Sequence, residues 1–126
     1  MAEAAFLAKA SSLGFGVAKP WGDSESYDFI LDSGERFWRV QVKSSHVDTE
    51  GQGYSFNLGH GRVRHPYTVD EIDVLAAYIV RENVWYVLPV EAVFHQLRIR
   101  LGHPRSQRIT NYDKYREGWG LMACKR

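Results

Sequence analysis

The sequence predicts a mixed α/β domain whose sheet is built largely from hairpins. Three observations carry this reading: an apolar stripe at helical spacing opens the chain, six short runs with strand patterning follow, and turn-forming residues separate most of them. In residues 2–13, Phe6, Leu7, Ala10 and Leu13 share one helical stripe, and Gly-Phe-Gly at 14–16 stops it. The segment GVAKP reads as a short strand ending at Pro20. YDFIL (27–31) and FWRVQVK (37–43) are the next two strands, joined through DSGE, where Ser33-Gly34 suits a tight turn. YSFNL (54–58) alternates as a half-exposed strand does, DVLAAYIV (73–80) is apolar enough to be buried on both faces, and VWYVL (84–88) follows the turn signal RENV. Pro89 suits the first turn of a helix, and Val90, Val93, Phe94, Leu97 and Leu101 continue at helical spacing to Gly102. After a loop rich in Gly, Pro and Arg, Asn111 is placed to cap a last helix that sets Tyr115 and Trp119 one turn apart.

A chain of 126 residues, 44% hydrophobic and 25% charged, is expected to form one domain, 1–126, with a real core. No apolar run is long enough to span a membrane, and the opening residues lack the pattern of a secretory signal, so the expected location is the cytoplasm. The single Cys124 excludes an internal disulfide and has no partner at zinc-ligand spacing. Net charge is only +1, but residues 95–126 hold eight Lys/Arg against two Asp/Glu, while residues 1–94 are acidic. Arg98, Arg100, Arg105 and Arg108 make up the dense part, and a smaller basic group, His60, Arg62, Arg64 and His65, sits in GHGRVRHP. Such asymmetry fits either a surface for a polyanion or a solvated end of the chain. Trp21, Trp38, Trp85 and Trp119 read as packing residues, with Trp21 and Tyr54 near glycine-rich loops that also suit stacking on bases.

The second strand of the first hairpin has an odd polar face, Arg39, Gln41 and Lys43. A two-residue loop at Ser33-Gly34 sets Asp28 opposite Arg39 and diagonal to Gln41, and any odd register keeps Asp28, Gln41 and Lys43 on one face. An Asp and a Gln so placed can grip one ion, oxygen ligands suit Mg²⁺, and a Lys on the same face can orient a water or offset phosphate charge. A merely wet face of an amphipathic strand is the competing reading.

Asp28, a gap of twelve residues, then Gln41-Val42-Lys43, preceded by a helix carrying Glu3, resembles the PD-(D/E)XK nuclease superfamily. The opening EAAFLAKASSLGFGVAKP, the strand FWRVQVKSS, the block IDVLAAYIVRENVWYVLPVEAV and the late YREGW together resemble small bacterial endonucleases of that superfamily related to intron-encoded homing endonucleases. The resemblance implies a restriction-endonuclease-like core, in α-β-β-β-α-β order, with a central mixed sheet flanked by helices. It implies a Mg²⁺-dependent endonuclease acting on DNA. Asp28 would be the central metal carboxylate, and Gln41, standing where the family usually has Glu or Asp, would lend its amide oxygen. The carbonyl of Val42 would also touch the ion. Lys43 would position the water, and Glu3 would complete the acidic cluster. Arg62, Arg64, Arg98, Arg100, Arg105 and Arg108 are the candidate phosphate contacts. One site cuts one strand, so a homodimer or larger even assembly is expected. The alternatives are a structure-selective nuclease such as a Holliday junction resolvase, and a DNA-binding domain that kept the fold and lost the metal.

Overall fold

The structure, a computed structural model, describes residues 2–22, 24–46, 48, 53–102 and 112–123. Helix α1 spans Ala2–Ser12. At this length a helix is marginal alone, so its docking decides its stability. Phe6 and Ala10 are fully buried, whereas Leu7 and Leu13 stay about half exposed, so the buried stripe is narrower than the sequence pattern.

Five strands form the main sheet, in the order β1-β2-β3-β5-β6. They are β1 (Gly16–Ala18), β2 (Phe29–Asp32), β3 (Phe37–Ser45), β5 (Val74–Ile79) and β6 (Val84–Pro89). Neighbours run antiparallel except β3 and β5, which are parallel, with Val40 level with Val74 and Ser45 with Ile79. β5 reads as a continuous apolar run because it is central and covered on both faces. A second sheet pairs β4 (Tyr54–Asn57) with β7 (Arg98–Leu101), antiparallel.

Two apolar layers follow from strand alternation. On one face, Phe29, Leu31, Val40, Val42, Val74, Ala76, Trp85 and Val87 meet Phe6 and Ala10 of α1, with Trp119 and Met122 closing the end. On the other, Leu75, Ala77, Ile79, Tyr86 and Leu88 meet Tyr54, Phe56, Ile99 and Leu101 of the small sheet.

Arg39 and Asp73 lock the start of the parallel pair. Asp73 Oδ2 accepts from the Arg39 backbone N–H at 2.8 Å and from Nε at 3.2 Å, while Arg39 Nη2 donates to Oδ1 at 3.1 Å. Burial raises the Asp73 carboxyl, but the bonds and charge of Arg39, with help from Arg36, outweigh it and hold the group below its ordinary value.

Two expected helices are replaced. Residues 90–101 form a single 3₁₀ turn, Val90–Val93, followed by β7; His95 has φ 65°, which interrupts any helix there. Arg98-Ile99-Arg100-Leu101 alternates exposed and buried, a period of two that outcompetes the apolar i, i+3, i+4 spacing once β4 offers a partner. The last segment forms two short turns, Asp113–Tyr115 and Trp119–Leu121, rather than one helix; Asn111 lies outside the described residues. Its YREGW stretch lies against β6 instead. The Glu117 N–H donates to the Trp85 carbonyl at 2.7 Å, and its carboxylate accepts from Trp85 N–H and Trp119 Nε1, each at 2.9 Å. The sheet's outer edge is thereby partly covered. Trp85 and Trp119 are buried as expected, but Trp21 is fully exposed and does not pack.

Candidate active site

The hairpin turns one step later than Ser33-Gly34 suggests. The Ser33 N–H donates to the Arg36 carbonyl, and Gly34, at φ 92°, sits inside the turn with its N–H on Asp32 Oδ1 at 2.8 Å. Phe29 therefore pairs with Val40 and Ile30 with Arg39. Continuing that register brings Asp28 level with Gln41 rather than Arg39. The register is still odd, so Asp28, Gln41 and Lys43 share one face as the parity argument requires.

Why the site lies here follows from strand lengths. β3 has nine residues and β2 four, so β3 runs on past the start of its partner. The Asp28 N–H still donates to the Val40 carbonyl at 2.8 Å, but Val42 N–H has no strand residue opposite it and donates to Asp28 Oδ2, also at 2.8 Å. A side chain has replaced a strand. The Val42 carbonyl, on the same open side, receives among the described residues a long 3.5 Å contact from Gln41 Nε2. A carboxylate oxygen, an amide and a backbone carbonyl thus converge, with Lys43 two residues further along. All three side chains are half-buried.

Burial raises the Asp28 carboxyl above its ordinary value, the Val42 N–H works against it, Glu3 adds to the rise, and the charges of Lys19 and Lys43 lower it, leaving a net increase. Glu3 lies in the first turn of α1, on the other side of the sheet, and reaches Asp28 through its charge; its own partner is Lys19, whose Nζ donates to Oε1. Two further residues belong to this neighbourhood. Lys19 also sits 5.2 Å from the centroid of the Phe29 ring. Tyr67 is buried, 5.8 Å from Lys43 Nζ by its ring, and its hydroxyl is pushed up to about 12 by burial first and then by the charges of Asp28 and Glu71. No local pattern marks either: Lys19 precedes a proline, and Tyr67 follows one in a loop.

Of the candidate phosphate contacts, Arg98 and Arg100 are exposed on β7, on the side away from Ile99 and Leu101, and Arg62 is exposed in the turn 61–64. Arg64 is engaged in holding that turn to β4, donating to Asn57 Oδ1 and to the Leu97 carbonyl at 3.3 Å. Arg105 and Arg108 lie outside the described residues, as does Cys124. Among the described residues, no helix is long and apolar enough to cross a membrane.

The mixed sheet, with α1 on one face and a carboxylate, an amide and a lysine at the open end of its long strand, has the architecture of the restriction-endonuclease-like nucleases. The chain belongs to the PD-(D/E)XK endonuclease family, whose model matches residues 1–122. The solved structure of a bacterial homing endonuclease, I-Ssp6803I, superposes with a TM-score of 0.84 at 33% identity, over 96% of this chain and 87% of that one. The structure of MepB aligns with 97% of this chain and 91% of that one, but at 11% identity and a TM-score of 0.49 it bears on neither fold nor site. No curated protein matches.

Proposed function

We propose that this endonuclease hydrolyses phosphodiester bonds of DNA in a reaction that depends on Mg²⁺. One observation carries the reading: Asp28, Gln41 and the Val42 carbonyl meet at the open end of β3 with Lys43 on the same face. The donor set fits a hard divalent ion, being all oxygen, with one carboxylate oxygen not engaged by Val42 and an amide whose present contact is weak. When bound there, such an ion supplies Lewis-acid polarisation of a phosphate oxygen and a more acidic attacking water. Likeness to a bacterial homing endonuclease supports DNA as the substrate.

The chain's own part is positioning and charge. Asp28 holds one oxygen against the strand and presents the other to the site. Lys43 donates to the attacking water or to a non-bridging phosphate oxygen and offsets the charge that grows there. The water oxygen bonds to phosphorus, the P–O3′ bond breaks, and the 3′ oxygen leaves as an alcohol after taking up a proton. Cutting both strands would take two such sites related by a two-fold axis.

Gln41 provides the test. Its amide matches Glu in length but contributes a dipole in place of a charge, so Mg²⁺ should bind more weakly than a glutamate would hold it. Gln41→Glu is expected to keep activity and lower the Mg²⁺ concentration for half-maximal cleavage; Gln41→Ala is expected to lose activity that extra Mg²⁺ only partly restores. Identical half-maximal concentrations in all three proteins would sink the metal role of this strand.

For the DNA surface, the exposed Arg62 and Arg98 are proposed as phosphate contacts. Replacing both by Ala should weaken binding to every sequence alike and flatten the dependence of log K on log salt by about one unit for each phosphate no longer neutralised. An unchanged slope in binding titrations places the DNA elsewhere.

A further inference from the structure

We propose that His60, His65 and Glu71 form a second metal site, for a borderline transition-metal ion of the zinc class, distinct from the Asp28 hairpin. The turn that builds it is written locally. His60 and His65 exchange backbone hydrogen bonds, each N–H to the other's carbonyl at 3.0 Å, across the turn 61–64. Gly61 has φ 87°, and a Cβ there would lie 2.6 Å from the His65 ring, so glycine lets the two imidazoles come together. Their ring centroids are 4.2 Å apart.

Glu71 arrives from a separate device. Thr68-Val69-Asp70-Glu71 makes a capping-box contact, in which Glu71 Oε1 accepts from the Thr68 N–H at 3.0 Å and from its hydroxyl at 3.2 Å. That leaves Oε2 aimed at both rings, 2.7 Å from His60 Nε2 and 3.3 Å from His65 Nε2. One ligand atom from each residue thus lies within 4.8 Å of the other two. Zinc bonds of roughly 2.0–2.2 Å at tetrahedral angles separate ligand atoms by about 3.3 Å; the His65–Glu71 contact already has that length and the His60–Glu71 contact has to open slightly. Two imidazole nitrogens and one carboxylate suit zinc rather than Mg²⁺.

A further observation calls for a positive species between the His65 ring and Glu71. His65 Nδ1 lies 2.9 Å from the Val63 carbonyl, a contact that requires its proton on Nδ1. In the neutral ring, the Nε2 lone pair then faces a carboxylate oxygen, which is repulsive unless a positive species joins them. A metal ion does so without charging the ring, and a backbone carbonyl on the far nitrogen is the usual support of a metal-bound imidazole. His60 Nδ1, in contrast, is buried with no hydrogen-bond partner among the described residues, so Nε2 is its usable nitrogen. The His60 ring stacks on Tyr67 at 3.9 Å, and Tyr67 faces Lys43. An ion would therefore clip together the loop that backs the Lys43 side of the active site.

The rival for the same place is a proton on His65, and the experiment separates the two. Co²⁺ is titrated into the wild type, into Asp28→Asn, which disables the hairpin site, and into His65→Ala, whose metal-free melting curve checks its folding. Expected are the visible bands of Co²⁺ with nitrogen and oxygen ligands at one ion per chain, and a rise in Tm with Zn²⁺, in the wild type and Asp28→Asn but not in His65→Ala. Bands that persist in His65→Ala, or no bands at saturating Co²⁺, overturn the site. So does a stability difference between wild type and His65→Ala that vanishes as pH rises through the histidine range and ignores Zn²⁺. None of these readouts uses DNA cleavage, so the outcome is independent of the nuclease mechanism.

Discussion

Lys43→Ala and Asp28→Asn are each expected to fold like the wild type and to cut DNA at least about 10²-fold more slowly, the usual consequence of removing a group that stabilises developing charge. The asparagine matters. Asp28 Oδ2 accepts the Val42 N–H, and alanine there would leave that donor unpaired at the end of β3, confusing loss of chemistry with loss of structure. Asn keeps the acceptor and removes only the charge. Lys43 is half-buried beside Tyr67, and when it is removed the half-buried Asp28 keeps the Val42 N–H and the charge of Lys19 as support. Single-turnover cleavage at saturating Mg²⁺, alongside melting curves, checks both; wild-type rates in either variant remove that residue from the reaction.

The second large effect concerns stability. Phe6→Ala is expected to cost about 3–5 kcal/mol, because Phe6 is fully buried and deleting its ring opens a cavity beside three other aromatics. Its ring lies 5.0 Å from Phe29, stacked, 5.8 Å from Trp85, edge-on, and 5.9 Å from Trp119. These contacts tie α1, the sheet and the C-terminal turns into one layer, and a loss of that size is a large part of the roughly 5–15 kcal/mol that holds a domain together. Urea unfolding gives the number, and a shift below about 1 kcal/mol would show that α1 is docked by something other than Phe6. The same change should loosen the placement of Glu3 and its pairing with Lys19.

Much of the sheet was legible in the residues. Residues 27–31, 37–43, 54–58, 73–80 and 84–88 each overlap a strand found, to within one or two residues at the ends, because alternation and continuous apolar runs report burial of one face or two. The shared face of Asp28, Gln41 and Lys43 survived a turn that moved by one step, since parity depends only on the register being odd. Residues 90–101 were misleading for a physical reason: their apolar spacing satisfies a helix, and the partner that makes Arg98–Leu101 a strand is β4, some forty residues earlier. The tail was misleading likewise, because Glu117 finds its bonds on Trp85 rather than within its own turn.

The line between the two kinds of information is locality. By itself the sequence determined which side of each strand is apolar, where the first hairpin reverses to within one step, and that an acid, an amide and a lysine share a face, because the pleat repeats every two residues wherever the strand lies. Only the tertiary structure decided that β3 outlasts β2 and leaves Val42 for Asp28. It alone brought Lys19 and Tyr67 within range of that carboxylate's charge, and joined His60 and His65 to Glu71. Each of those contacts depends on where separate elements dock, and docking is set by the summed fit of buried side chains rather than by the pattern within any one segment.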